Sequence, residues 1–468
     1  MSYHIPFLKE INLKETIAAI ATGMSNSGIG IVRMSGPESI EIADKIFIKK
    51  NGRKISEAKS HTIHYGSIVD KDEVIDEVLV MIMRKPNSYT TEDTIEINCH
   101  GGIFVMRKIM DILIKNGART AEPGEFTKRA FLNGRIDLSQ AEAVIDIINS
   151  KNKYALENSV KLLSGKLSEK INDMREDIIN KVAYIESALD DPENYSLENF
   201  GDKMLISVDN YVDSVDKLLN SVDNGRILSQ GVKTVIIGKP NAGKSSLLNI
   251  LSGFERAIVT DIEGTTRDTI EEQINLNGII LNLVDTAGIR NTKDVIEEIG
   301  VEKAKQLAME ADLILYVVDS STELDNNDKD IFDIIKDKKT IVILNKSDLQ
   351  TVVSREDIAK ITDSEVVPVS ALNNEGIDEL TDTIVDLFVN NDVEYNDELY
   401  ISGERNKEAL LEVKESLINV KESILAGVSE DFYTVDLMNA YESLGKIIGE
   451  SLEDDLVNEI FSKFCMGK

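Results

Sequence analysis

Three textures of apolar and polar residues succeed one another along the chain. Residues 15 to about 125 mix short apolar runs of β character (29–34, 78–83 and 94–98) with helix-like stretches over 38–46 and 102–115. That mixture predicts an α+β domain. From 136 to about 222, proline and glycine nearly vanish and apolar residues recur at steps of three and four. Leu138, Ala141, Val144, Ile145 and Ile148 show the step, as do Ile178, Val182, Ile185 and Leu189. Such spacing puts one apolar stripe on each helix and predicts a helical bundle. At Val232 the pattern changes again. Apolar runs at 232–237, 279–284, 313–318, 341–344 and 366–369 alternate with helical stretches, which predicts a parallel sheet covered on both faces. Helical texture returns after about 390, over 404–426 and 434–464. The economical arrangement is one helical domain interrupted by an inserted α/β domain, because the ends of an insertion lie close together.

Composition narrows the function. The chain has 468 residues, long enough for two or three domains, and 42% apolar residues suffice for real cores. Asp plus Glu number 83 against 52 Lys plus Arg, for a net charge of −31. A chain so acidic repels polyanions at long range, so work on nucleic acid calls for a local patch or a more basic partner. Only Cys99 and Cys465 are present, with no CxxC spacing, and the four histidines form no ligand pattern; this argues against disulfides and zinc. Neither an apolar leader core in residues 1–20 nor an 18-residue apolar stretch occurs, so a soluble, cytoplasmic protein without a membrane span is expected.

The inserted domain carries the chemistry. Gly238-Lys-Pro-Asn-Ala-Gly-Lys-Ser245 follows an apolar run and precedes a helical start at Ser246. Glycines at 238 and 243 let backbone N–H groups wrap phosphates, Lys244 adds a point charge, and the Ser245 hydroxyl suits Mg2+. Asn241, Ala242 and Ser246 complete that set. After the next strongly apolar run comes Asp285-Thr286-Ala287-Gly288, where the aspartate steadies the metal indirectly and the Gly288 N–H can sense a γ-phosphate. In Gly264-Thr265-Thr266-Arg-Asp268, Thr266 is the candidate to complete the metal's ligands. Asn345-Lys346-Ser-Asp348 ends a later strand; its carboxylate accepts from guanine N1–H and the 2-amino group, a donor pair adenine lacks. Ser370-Ala371 fits the loop that backs the base. These motifs in this order specify a guanine-nucleotide site. Ile289 stands where Ras-type switches use a glutamine to orient water, so hydrolysis needs another group, with Asp294, Glu297 and Glu298 as candidates.

Outside that domain, several strings carry a family resemblance. They are Glu15-Thr-Ile-Ala-Ala19, Gly28-Ile-Gly-Ile-Val-Arg33-Met-Ser-Gly36, Asn87-Ser-Tyr-Thr-Thr-Glu-Asp93 with Glu96 and His100-Gly-Gly102, residues 123–142, and the ending Phe464-Cys-Met-Gly-Lys468. Across essentially the whole chain the sequence resembles the MnmE (TrmE) family of bacterial tRNA-modifying GTPases. The resemblance implies domains at 1–133 (tetrahydrofolate-binding and dimerising), 134–225 and 391–468 (helical) and 226–390 (GTPase). It implies a homodimer that binds 5-formyl- or 5,10-methylene-tetrahydrofolate through Arg33, Glu96, Arg135 and Lys468, with Cys465 as the functional cysteine. It further implies K+ held by Asn241 and by Thr260, Ile262 and Thr265 of the loop around Gly264, and Glu297 orienting the water. The implied task is modification at C5 of the wobble uridine of tRNA, together with an MnmG-type FAD-dependent partner in a heterotetramer. Two departures are Arg135, often lysine in relatives, and Gly23, usually proline there. A ribosome-assembly switch and a folate-binding scaffold with a merely regulatory GTPase domain are the alternatives; the first lacks any basic RNA-binding module here.

Overall fold

The computed structural model describes residues 14–50, 52–253, 270–284, 308–336, 338–390, 399–401, 403–450, 454–464 and 467. They fall into two compact units: 1–145 with 162–212 and 409–468, and 146–161 with 213–408.

The first unit opens with a seven-stranded sheet of β1 (Ile17–Ile20), β2 (Ser27–Ser35), β3 (Phe47–Lys49), β4 (Thr62–Asp70), β5 (Glu73–Met83), β6 (Thr94–Gly101) and β7 (Arg119–Thr120). Its order is β3-β4-β5-β6-β2-β1-β7, antiparallel except where β1 meets β7. Alternation assigns the faces. Val32, Met34, Val80, Ile82, Ile95 and Ile97 point to one side and are buried together with Ile42, Ile109 and Leu113 of the helices Ser39–Ile46 and Ile103–Lys115. On the opposite face, Ile63, Met81, Glu96 and Arg33 share one cross-strand row.

The helix Glu125–Leu132 is fastened to this sheet by buried charge. Arg129, 1% exposed, donates to Glu92 (3.1 Å), to Glu125 (3.0 Å) and to the Glu15 carbonyl (3.0 Å). Arg119 holds the same Glu125 carboxylate, at 2.7 Å to Oε1 and 3.1 Å to Oε2. Just before the helix, Gly124 has φ +68°, and a Cβ there would lie 2.5 Å from the Phe461 carbonyl, so glycine is required for the closing helix to approach. Phe131, Phe461 and Phe464 are buried in the same cluster. Further along, Arg175 pairs with Glu450 at 2.5 Å and lies over the Tyr441 ring, joining helices Lys166–Asp190 and Glu430–Ile448. The helical texture expected over 434–464 divides: one helix ends at Ile448, the chain turns at Gly449 (φ +89°), and Asp454–Ser462 forms another.

The second unit holds a six-stranded sheet of β8 (Val232–Gly238), β9 (Ile270–Leu276), β10 (Ile279–Val284), β11 (Leu313–Asp319), β12 (Thr340–Asn345) and β13 (Glu365–Val369). The order is β13-β12-β11-β8-β10-β9. Five strands are parallel and correspond to the five apolar runs; β9 is an antiparallel edge. The apolar pattern passes over β9 because Glu271, Glu272, Gln273 and Asn275 interrupt it, as suits a strand with one free edge. Apolar side chains are buried on both faces of the sheet. The helix Phe200–Gln230 continues past the change of texture near 225, and Arg226 in its last turns grips Asp312 at 2.6 Å.

Burial opposes the Glu125 carboxylate, but the Arg119 hydrogen bond, the Glu122 N–H and Arg129 outweigh it and hold its pKa below the ordinary 4.5. Its stabilisation is therefore complete above that value and disappears as pH falls through the depressed one. Arg129→Met should cost the first unit about 3–5 kcal/mol, because it leaves Glu92 without its cation and Glu125 with Arg119 alone. Calorimetry would show a lowered melting transition, and its acid dependence should flatten in the variant.

Candidate functional site

The phosphate loop runs between β8 and the helix Lys244–Leu251, whose N-cap is Gly243. At Gly243 φ is +102°, and a Cβ would stand 1.9 Å from Asn345 Nδ2. This close approach is the centre of the site. Asn345 closes β12 and is 3% exposed. Its Nδ2 donates to the Ala242 carbonyl (2.7 Å), and its Oδ1 accepts from the Ala371 N–H (3.1 Å). One side chain thus ties together three segments that the sequence separates widely.

Around it the remaining motif residues are already paired. Ser370 donates to Asp348 Oδ1 at 2.6 Å and accepts from the Asn373 N–H, which fixes the carboxylate that the sequence assigns to the base. Lys346, with φ +63°, holds Asp319 at 2.6 Å. Burial works against the Asp319 carboxylate, yet Lys346 and the Ser321 hydroxyl and N–H outweigh it and keep its pKa low. Lys244 turns its ammonium onto the Gly238 and Lys239 carbonyls, at 2.8 and 2.6 Å, and burial lowers its pKa. A desolvated cation at the head of a helix, on a glycine-bounded loop, is suited to phosphate oxygens. Asn241 sits in the loop with φ +61°; Ser245 and Ser246 begin the helix.

Thr260, Ile262, Thr265, Thr266, Asp285, Thr286, Ala287, Gly288, Ile289, Asp294, Glu297 and Glu298 lie outside the described residues, as do Cys465 and Lys468.

A second constellation occupies the face of the first sheet opposite the helices Ser39–Ile46 and Ile103–Lys115, beside the helix Glu125–Leu132. Arg33 and Glu96 stand directly opposite on β2 and β6 and pair at 2.7 Å, both partly accessible at 18% and 15%. The Arg33 guanidinium also donates to the Gly467 carbonyl (3.3 Å) and lies 5.9 Å from the Tyr89 ring and 5.7 Å from Phe126. Arg135 covers Tyr89 at 4.8 Å and donates to its carbonyl. Three of the four expected folate positions therefore converge. Sequence reasoning passed over Tyr89 and Phe126, although both lie in the quoted strings; nothing in a string tells a ring that carries an arginine from one that fills a core.

Cys99 points into the first core, donates to the Gly30 carbonyl at 3.3 Å, and is pushed up to about 11 by burial and the nearby Asp76 charge. It is no nucleophile at neutral pH.

A parallel sheet with phosphate and base loops at the C-terminal ends of its strands, joined through one asparagine, defines a P-loop GTPase. Here it is set into a helical domain behind an α+β domain. Residues 16–135 match the family model "GTP-binding protein TrmE N-terminus", and 138–465 match "MnmE helical domain". The chain is 56% identical to the tRNA modification GTPase MnmE of Lachnoclostridium phytofermentans over 97% of this chain and 99% of that one. It is 50% identical to the protein of that name from Thermoanaerobacter pseudethanolicus, over 97% and 99%. The chain belongs to the MnmE (TrmE) family of tRNA modification GTPases. Among solved structures, the G domain of the T. maritima FeoB iron transporter is 25% identical over 33% of this chain and 97% of its own, with a TM-score of 0.25, too low to add anything.

Asn345→Ala removes two buried hydrogen-bond partners. It should weaken GDP binding about 10- to 100-fold, read by titration with a fluorescent analogue. Gly243→Ala should abolish binding, since strain and collision act together.

Proposed function

We propose that this chain hydrolyses GTP to drive modification of the wobble uridine of tRNA at C5, with a folate site on the N-terminal sheet. The observation that carries the second half is the convergence of Arg33, Glu96, Arg135 and the Gly467 carbonyl around Tyr89. A pterin needs a carboxylate for its donor edge, and the glutamate tail of folate needs cations. Glu96 meets the first need and Arg33 with Arg135 the second, so the residues present fit the group. When bound, a tetrahydrofolate supplies the one-carbon unit; by family resemblance Lys468 is assigned to that site and Cys465 is the functional cysteine of the helical domain.

In the nucleotide site, residues 241–246 grip the phosphates, Asp348 and Ser370–Ala371 read guanine, and Lys346 and Asn345 hold the base loop in place. Ser245 and Thr266 are the ligands assigned to Mg2+, which supplies charge at the phosphates. Asn241, Thr260, Ile262 and Thr265 are those assigned to K+, which stands in for the missing arginine finger. Glu297 orients the water that Ile289 cannot, and Thr265, Asp285, Thr286, Ala287 and Gly288 complete the nucleotide contacts. The domains are taken as 1–133, 134–225, 226–390 and 391–468. Exposed Ile63, Tyr65 and Leu79, on the sheet face opposite the helices Ser39–Ile46 and Ile103–Lys115, support a homodimer through the N-terminal domain. The charge of −31 supports an FAD-dependent MnmG-type partner that brings the basic surface for tRNA. A cytoplasmic place of work follows from the family resemblance; among the described residues no helix is long and apolar enough to cross a membrane.

GTP turnover measured in K+ and in Na+ at equal ionic strength should be strongly faster in K+, absent with ATP, and lost in Glu297→Ala. Equal rates in both salts would remove Asn241 from cation binding. Separately, 5-formyltetrahydrofolate should bind the full chain, and Arg33→Ala should weaken it about 10- to 100-fold by loss of a charge-assisted contact; unchanged calorimetric affinity would move the folate elsewhere.

A further inference from the structure

We propose that the segment 319–328 is a brace between the phosphate loop and the base loop, with Lys239 as a positioning residue, so that gripping phosphate and reading the base reinforce each other. The inference rests on the assignment of those two loops to nucleotide binding.

Topology creates the opportunity. β11 lies between β12 and β8, and those neighbours lead into the base loop and the phosphate loop. The segment leaving β11 is therefore flanked by both. At its start, Asp319 takes the Lys346 ammonium at 2.6 Å, and the Ser320 N–H donates to the Asn345 carbonyl at 3.0 Å. At its far end, Asp325 and Asp328 hold the Lys239 ammonium, the former at 2.9 Å.

The two ends are rigidly joined. Ser321 closes a turn on Asp319 through its hydroxyl and N–H, at 2.6 and 3.0 Å. Asp325 and Asp328 form a capping box at the head of the helix Asn326–Ile335. The Tyr316 hydroxyl, on β11 itself, donates to Asp328 at 2.7 Å. Of the two carboxylates on Lys239, Asp328 matters more: its side chain is 3% exposed, against 55% for Asp325, whose pair solvent largely screens.

Lys239 transmits the hold. Its side chain is pinned to the brace, while its carbonyl accepts the Lys244 ammonium at 2.6 Å and the Ala242 N–H at 3.3 Å. Fixing the Lys239 side chain thus fixes the main chain on which the phosphate lysine rests. Coupling between two parts of one ligand site is reciprocal, so loosening either end of the brace is felt at the other.

The test measures equilibrium affinities of the full chain for GDP, IDP and GMP. IDP lacks the 2-amino group that Asp348 is assigned to read; GMP lacks the β-phosphate. Lys239→Met should shrink the GDP-over-IDP preference about fivefold, the low end of such couplings, and Asp319→Asn should shrink the GDP-over-GMP preference similarly. Lys239→Arg should restore the first ratio. Each ratio compares two ligands on one preparation, so loss of folded protein does not move it. If Lys239→Met weakens GDP and IDP equally, the brace does not couple the loops and the proposal falls. A GDP-over-IDP preference unchanged in Asp348→Asn would instead overturn the base-loop assignment, and the proposal with it, whatever Lys239 does.

Discussion

Arg129 is a full positive charge removed from water, tolerable only because Glu92, Glu125 and the Glu15 carbonyl surround it. Such a cluster adds little net stability over a well-packed apolar core, but removing any member leaves another charge stranded. It therefore admits one placement of the helix Glu125–Leu132 and excludes its near alternatives. Much follows from that placement. Phe131 of this helix lies 6.1 Å from Phe461, and Phe461 lies 5.2 Å from Phe464. Those aromatic contacts guide the end of the chain toward Arg33, which bonds a residue 434 positions later in sequence. The convergence on the N-terminal sheet is thus set from behind, by charges that touch no part of the site.

The nucleotide half depends on a different constraint, the contact of Asn345 with the phosphate loop. Its amide bonds both Ala242 and Ala371, and the missing Cβ of Gly243 makes room for it. Guanine selection and phosphate binding are usually described as separate tasks of separate motifs. Here the two loops assigned to those tasks share a side chain, and the exit of β11 adds a second connection through Lys239. The parallel order of the strands makes this possible, because loops from adjacent strands emerge at the same edge.

Most of this architecture was legible from the apolar pattern. Five buried parallel strands betray themselves as continuous apolar runs, and the bundle helices by their three-and-four step. What escaped did so for physical reasons. β9 mixes charged and apolar positions because one of its edges is free. The break at Gly449 is hidden because apolar residues on either side keep the helical step. Phosphate and base motifs were readable because their chemistry dictates spacing within a short string. Tyr89 and the Asp328 support were not, since their meaning comes from cross-strand register and from packing between distant segments, which no local pattern records.

Cys99 carries a practical consequence. Its thiol is enclosed in the first core, and burial with the Asp76 charge holds it protonated at neutral pH. Toward alkylating reagents, the folded chain therefore withholds the Cys99 thiol. Any thiol label that Cys99 does take up therefore reports an opening of the first core, with no residue replaced.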